Sequence, residues 1–329
     1  MKLRILLIAI AGFLIAPLTF GHHSPSRYDL GNEISIQGEV VRLAWGNPHV
    51  YIYLNSRDAD GQLVEWQIEG SSTPIMGRAG WSRSILSAGD PVTALFNPAR
   101  NLDSHNGLLV SLTTENDLTL GVKPERIRPK VAAGSIAGLW NANAGYDNAI
   151  VQFGTVPRKL TPRALAIQPD ISIADDKGKN CIEMSTPLVT VFNYINEIEI
   201  LDDRVLIKTE YFSVDRTIYT DGRGHPENGE TSTQGHSIGH WDGDNLLVDT
   251  TLFDGDMFSS VRGIQSVDLH VQEKYILSDD KTRLLIELTV DDPALLHEPY
   301  TITTVWDYAP DSIPDRWQCD PETAVLFDF

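Results

Sequence analysis

Residues 234–251, Gln-Gly-His-Ser-Ile-Gly-His-Trp-Asp-Gly-Asp-Asn-Leu-Leu-Val-Asp-Thr-Thr, place an Asp-Gly pair between two alternating runs. That is the strongest short-range signal for a β-hairpin. With Asp242 and Gly243 as a two-residue type I′ loop, counting outward pairs Trp241 with Asp244, His240 with Asn245, Ile238 with Leu247 and His236 with Asp249. Directly opposed residues share one face of the sheet. A histidine thus stands beside a carboxylate, which would fix its tautomer and raise its pKa. His236 and Asp249 are therefore the candidate acid–base pair. His236 and His240 lie four apart on one strand, roughly 13 Å, too far to share a metal ion.

Outward from the hairpin, short alternating runs continue on both sides: roughly 190–200, 203–211, 214–220, 267–277, 282–290 and 299–307, opened by Ile136-Ala137-Gly138-Leu139-Trp140. Asp-Asp, Asp-Gly and Ser-Asp-Asp turns separate them. Eight or more antiparallel strands at short spacing predict an up-and-down barrel or a sandwich. The Gly-x-Trp opening resembles the first strand of lipocalin-like barrels and favours the barrel. Such a barrel is wide enough to hold one small ligand.

The first half reads strand, strand, strand, helix, strand, strand. Glu33–Trp45, His49–Asn55 and Gln62–Glu69 alternate. Residues 74–87 carry Ile75, Met76, Ala79, Ile85 and Leu86 with few β-branched residues, which fits a short helix or helical pair, and Pro91–Phe96 and Leu108–Thr114 follow. This order is that of an OB-like five-stranded barrel with one short helix. The chain is thus expected to be all-β dominated: residues 1–21 a signal peptide, 22–122 the OB-like barrel, 123–135 a linker with two prolines and four basic residues, and 136–329 an antiparallel lipocalin-like barrel.

Lys2 and Arg4 precede an apolar core from Leu3 to Phe20, and Thr19 and Gly21 supply small residues for cleavage. That is the pattern of a secretory signal peptide. It predicts a periplasmic or secreted protein with no integral membrane segment, since no later run reaches the ~20 apolar residues of a transmembrane helix. Export gives the two cysteines meaning. Cys181 and Cys319 predict a structural disulfide, with two buried thiols as the alternative. A net charge of −19 from 26 basic and 45 acidic side chains excludes a phosphate-neutralising surface and hence nucleic acid as partner.

Two resemblances follow from the residues. His22-His23-Ser24, Gly38-Glu39-Val40, Trp45-x-Asn47-Pro48-His49, Trp66, Glu69-Gly70 and Gly80-Trp81 resemble a periplasmic bacterial family of unknown function over roughly residues 20–120. The second half is similar to uncharacterised secreted proteins that share Arg216-Thr217-Ile218-Tyr219, Asp221-Gly222-Arg223, His225-Pro226, Gly235-His236-Ser237-Ile238-Gly239, Trp241, Gly243-Asp244 and Val248-Asp249-Thr250. Those relatives carry Arg where this chain has His240. Neither resemblance implies an activity.

Cleavage after Gly21 would make His22 the new N-terminus, its amine and ring chelating one cation together, with His23 beside it and His49 at the start of the second strand. Imidazole suits copper, zinc or nickel. The competing reading is a solvated tail and a turn-capping His49, and no cofactor is required by the sequence. Trp45, Trp66 and Trp81 read as core rather than as an aromatic ligand surface. Glu210, Arg216, Arg223, His225 and Trp241 are the candidate ligand contacts of the second domain. Glu210 and Arg216, six apart, would share a face and pair. Arg223 and His225 follow the Asp221-Gly222 turn and would line a barrel mouth.

Gly-x-Ser-x-Gly, a phosphate-cradling Gly-rich loop, His-Glu-x-x-His and Cys-x-x-Cys are all missing from the sequence. The leading expectation is a periplasmic small-ligand-binding protein with a metal site at the mature N-terminus. Its rival is an enzyme (isomerase, dehydratase, cyclase or hydrolase) using His236 and Asp249 in a barrel pocket. The third class is an envelope protein with no pocket.

Overall fold

The computed structural model describes residues 27–58, 60–101, 104–122, 131–142, 156–167, 181–192, 194–255, 258–259 and 263–324. The expected signal peptide, His22, His23 and most of the expected 123–135 linker lie outside them.

The first barrel is built from β1 (Ile34–Ala44), β2 (Tyr51–Arg57), β3 (Leu63–Glu69), helix α1 (Thr73–Arg78), β4 (Pro91–Pro98) and β5 (Asn106–Thr114), with β6 (Thr119–Gly121) as an added edge. The sheet runs β3-β2-β1-β4-β5-β6, and a parallel pairing of β3 with β5 closes it into five strands. The strand order and the intervening helix are those expected. The helix is a single short one, ending at Arg78 before Gly80, whose φ is +94°. Val40, Ile52, Leu54, Ile68, Val92, Ala94, Phe96, Leu109 and Leu112 fill the interior, and Met76 and Trp81 complete that core. Trp45 and Trp66 pack against the same core, so the three tryptophans are structural. Each such fully buried apolar side chain contributes about 1.5–3 kcal/mol relative to exposure.

The second barrel comprises β7 (Gly138–Asn141), then, after helices α2 (Pro162–Ile167) and α3 (Leu188–Val191), β8 (Ile195–Ile200), β9 (Arg204–Thr209), β10 (Asp215–Tyr219), β11 (His236–Asp242) and β12 (Asn245–Thr251). A two-residue ribbon, β13 (Phe258–Ser259) with β14 (Gly263–Ile264), stands apart. β15 (His270–Leu277), β16 (Arg283–Asp291) and β17 (Tyr300–Tyr308) complete the barrel, and helix α4 (Pro321–Ala324) ends the described chain. Nine strands close in the order β10-β11-β12-β15-β16-β17-β7-β8-β9. The sequence suggested purely antiparallel neighbours. An odd number of strands cannot alternate direction all the way round, so one pair must run parallel. That pair is β10 and β11, joined only at Ile218–Ser237 and Tyr219–Ile238. The segment between them, residues 220–235, therefore crosses back along the barrel instead of turning tightly.

Interior-facing side chains of the second barrel are packed against one another. Trp140, Val205, Ile218, Leu246, Tyr275, Leu284, Ile286, Leu288 and Trp306 are all fully buried. Trp306 reaches helix α3 across the interior, its indole N–H donating to the Thr190 carbonyl at 3.2 Å.

Past β17 the chain returns to the first barrel. Cys319 is disulfide-bonded to Cys181, Cα to Cα 5.6 Å, the pairing expected from the sequence. A link closing so long a loop contributes about 2–4 kcal/mol. Beside it, the Asn47 carbonyl accepts the Asp320 N–H at 3.0 Å and the Thr323 hydroxyl at 2.9 Å, and the Asn47 amide donates to the Gln318 carbonyl at 3.1 Å. The Trp45-x-Asn47-Pro48-His49 loop thus anchors the C-terminal segment. Arg78 of α1 adds two 2.8 Å bonds to Glu210 of the second barrel.

Candidate functional site

The β11–β12 hairpin departs from the counted register. Asp242 pairs with Asn245, so the loop is Gly243-Asp244, and the pairs become His240–Leu247, Ile238–Asp249 and His236–Thr251. Gly243 has φ +61°. Asp244, the second loop residue, is not at positive φ, and a positive φ at the first loop position alone makes the turn type II′ rather than I′. Moving the loop by one residue slides partners by two and preserves the face. His236 and Asp249 are therefore diagonal neighbours on one face, not opposed partners.

Alternation decides which face. Ser237, Val248, Thr250, Val271 and Glu273 point into the barrel and are buried, whereas His236, Asp249, His270 and Gln272 stand on its outer wall. Gly235 brings β11 into place: a Cβ there would lie 2.6 Å from the Thr251 carbonyl, and its φ of +66° suits glycine.

The space between His236 and Asp249 is filled by His225 from the crossover segment. His225 Nε2 lies 2.9 Å from Asp249 Oδ1, and His225 Nδ1 lies 2.9 Å from His236 Nδ1. His270 Nε2 is 2.7 Å from Asp249 Oδ2, and the Gln272 amide donates to the same oxygen at 3.2 Å. A carboxylate only accepts, so both histidines donate to it through Nε2. Neutral His225 then has a lone pair on Nδ1, which accepts the Nδ1–H of His236. The two rings meet nitrogen to nitrogen, centroids 5.1 Å apart and planes at 72°. Tyr219 of β10 stacks on the other side of His236 at 5.4 Å, and the Arg223 guanidinium lies 3.9 Å over Tyr219 while clasping Asp221.

Burial pushes the His236 pKa below its ordinary value, and the nearby His225 and Arg223 add to this. Burial pushes the Asp249 carboxyl up, but hydrogen bonds from His270, His225 and Gln272 outweigh it and leave the group below its usual range. The sequence reading, a raised His236 beside a direct carboxylate, is reversed because a second imidazole intervenes.

The other candidates fall elsewhere. Arg216 points inward, where its guanidinium forms a bidentate pair with Glu273 and bonds Thr250 at 2.8 Å and Ser237 at 3.1 Å. Tyr275 completes this cluster by donating to Glu273 at 3.0 Å. The expected Glu210–Arg216 pairing does not form. A 3-10 turn over Tyr211–Ser213 with positive φ at Phe212 and Ser213 breaks the parity between them, and Glu210 bonds Arg78 and the backbone N–H groups of Ile195 and Asp315 instead. Trp241 stands at the exposed end of the hairpin, roughly 16 Å along the strand from His236. Of the ligand candidates, Arg223 and His225 join His236 and Asp249. His270 and Gln272 were not singled out from sequence, and Tyr219 entered only within the Arg216-Thr217-Ile218-Tyr219 resemblance.

In the first barrel, His49 Nδ1 lies 2.8 Å from Glu69 Oε1 and 3.1 Å from the Gly70 carbonyl. The same buried carboxylate receives the Tyr28 hydroxyl at 2.7 Å and the Arg27 guanidinium. Burial pushes Glu69 up, yet His49 above all, with Arg27 and Tyr28, holds it at about 2. Among the described residues, no group of three or more His, Cys, Asp or Glu side chains is arranged to hold a metal ion, and no helix is long and apolar enough to cross a membrane.

Residues 13–108 match a family of unknown function, DUF6152. No curated protein matches the chain. The matched stretch covers β1 to β4 with Glu69 and His49, and stops before the second barrel.

Proposed function

We propose that this is an exported, periplasmic small-ligand-binding protein, with an OB-like first barrel and a lipocalin-like second one, whose ligand docks on the outer wall of the second barrel against His236. The supporting observation is the Asp249–His225–His236 chain, which ends on a half-buried imidazole framed by Tyr219 and Arg223. The interior polar groups around Arg216, by contrast, are bonded to one another. Native mass spectrometry of protein taken from the periplasm tests this. A bound small molecule should be retained in an Ile313→Ala control and lost in His236→Ala. Equal retention in both would refute docking at His236.

The rival reading is an enzyme that uses the same residues for proton transfer, in the isomerase, dehydratase, cyclase or hydrolase class. The head-on contact of two imidazoles beside a carboxylate favours it.

A metal ion at the mature N-terminus, held by His22, His23 and His49, is the second part of the proposal. A carboxylate that fixes one ring nitrogen of a histidine is the usual support of a metal ligand, and Glu69 does this for His49. Arg27, five residues after His22, is docked on that same carboxylate, within reach of the preceding tail. Copper(II) should bind the processed protein, and acetylation of its N-terminal amine should weaken binding strongly by removing that donor. Equal affinity in both forms would leave only a solvated tail.

A further inference from the structure

We propose that Asp249, His225 and His236 form a proton relay in which His236 Nε2 is the general base toward a ligand that gives up a proton, with His225 as the positioning residue. The inference rests on the outer-wall reading of the ligand site and names the chemistry of that site.

With His225 neutral, the acceptor-only carboxylate sets the other tautomers in turn. Asp249 takes the Nε2–H of His225, so His225 accepts the Nδ1–H of His236, so the lone pair of His236 sits on Nε2. That nitrogen has no hydrogen-bond partner among the described residues, and it is not among the buried unpaired atoms, so it reaches solvent. The groups facing His236 are His225, Tyr219 and Arg223, with Asp249, His270 and Asp221 behind them. When an X–H bond of the ligand breaks, its proton goes to Nε2 and the electron pair stays on X. The Nδ1 proton of His236 then passes to His225, and the positive charge comes to rest on the ring that Asp249 holds. The carboxylate remains ionised and stabilises the imidazolium. The substrate class is therefore a molecule with a hydroxyl, thiol or acidic C–H group.

The geometry also explains why the loop that carries His225 crosses the outside of the barrel. The parallel β10–β11 junction forces the chain to travel back over the wall, and this path delivers a side chain between strands that no hairpin turn could reach.

Carbethoxylation by diethyl pyrocarbonate tests the relay without a ligand. An unprotonated ring nitrogen attacks a carbonyl carbon and expels ethyl carbonate, which breaks down to ethanol and carbon dioxide. In the wild type, His236 should be modified at Nε2, with a pH–rate midpoint below the ordinary ~6.5 of histidine. In His225→Ala the midpoint should rise, because the lowering by His225 is removed while that by Arg223 stays, and the adduct should divide between Nδ1 and Nε2. His225→Gln, whose amide donates to Asp249 and accepts from His236, should restore the Nε2 product. An Nδ1 adduct in the wild type overturns the relay, as does a folded His225→Ala protein with an unchanged midpoint and product. If the Ala variant does not fold, an Nδ1 adduct in His225→Gln overturns it alone. Because no ligand is used, failure here is separate from failure of docking at His236.

Discussion

Strands β11, β12 and β15 each contribute to one cluster on each face, joined inside by Arg216 of β10 and outside by His225 of the crossover. Inside, Arg216, Glu273, Tyr275, Thr250 and Ser237 bond one another, and both charges are sealed from water. Outside, Asp249, His225, His270 and His236 are bonded as densely, yet Asp249 and His270 are each 35% exposed and the chain ends on an unbonded nitrogen. The same three strands thus hold a cluster that is complete and one that is open. Only the open one has a group left to offer a ligand. Burial of a charged side chain is by itself a poor guide to function. A closed set of partners marks structure, and an unfinished one marks a site.

Removing half of the inner pair should have the largest effect. Arg216→Met leaves the Glu273 carboxylate buried and unpaired, which costs about 3–5 kcal/mol in urea unfolding. Arg216→Met combined with Glu273→Leu should recover most of that loss, since a matched apolar pair replaces a buried ion pair at little cost. A double variant as unstable as the single would show that the inner cluster does more than pack.

Glu69 lies between the two cases: a buried carboxylate whose partner His49 is one-third exposed. Its folded pKa of about 2 is below the ordinary value, so its contribution is fully present above pH ~4.5 and is lost as pH falls toward 2. The contribution is roughly 2–3 kcal/mol. Thermal unfolding followed from pH 6 to 2 should fall across that window, and Glu69→Gln should start lower and flatten the decline. An equally steep decline in the variant would assign the acid limb to other carboxylates.

The outer cluster should matter least to stability. His225→Ala removes two hydrogen bonds at a half-exposed site, about 1–2 kcal/mol in the same urea assay. The bound small molecule should nevertheless be lost in native mass spectrometry. A larger stability cost with the ligand retained would make this cluster a pin for the crossover segment and erase the contrast with the interior.

Much of this fold was legible because it rests on local rules. Alternation located most strands of both barrels and the turn residues separated them, while Gly-x-Trp marked β7 and the three-residue edge β6 was too short to show a pattern. The pairing of Cys181 with Cys319 followed from compartment and count. The register of β11 and β12 failed by two residues because Asp-Gly-Asp-Asn contains two adjacent candidate loops, and Asp242, which an Asp242-Gly243 type I′ loop would need at positive φ, stays in the strand. His225 could not be placed between His236 and Asp249, because a crossover of that length has no countable register. The sequence signal was present all the same: His225-Pro226 lies among the residues singled out with His236 and Asp249. His270 was invisible for a related reason, since an 18-residue connection from Leu252 to Leu269 separates it from β12. Arg216 was assigned the wrong glutamate because the 3-10 turn at Tyr211–Ser213 resets the face.

The central claim is that His225 joins Asp249 to His236 and thereby leaves His236 Nε2 without a proton. Long-range proton–nitrogen correlation NMR on imidazole-labelled protein at neutral pH reads each ring nitrogen directly. His236 should show a protonated Nδ1 and a bare Nε2, and His225 a protonated Nε2 and a bare Nδ1. A proton on His236 Nε2, or on His225 Nδ1 in place of Nε2, would contradict the account.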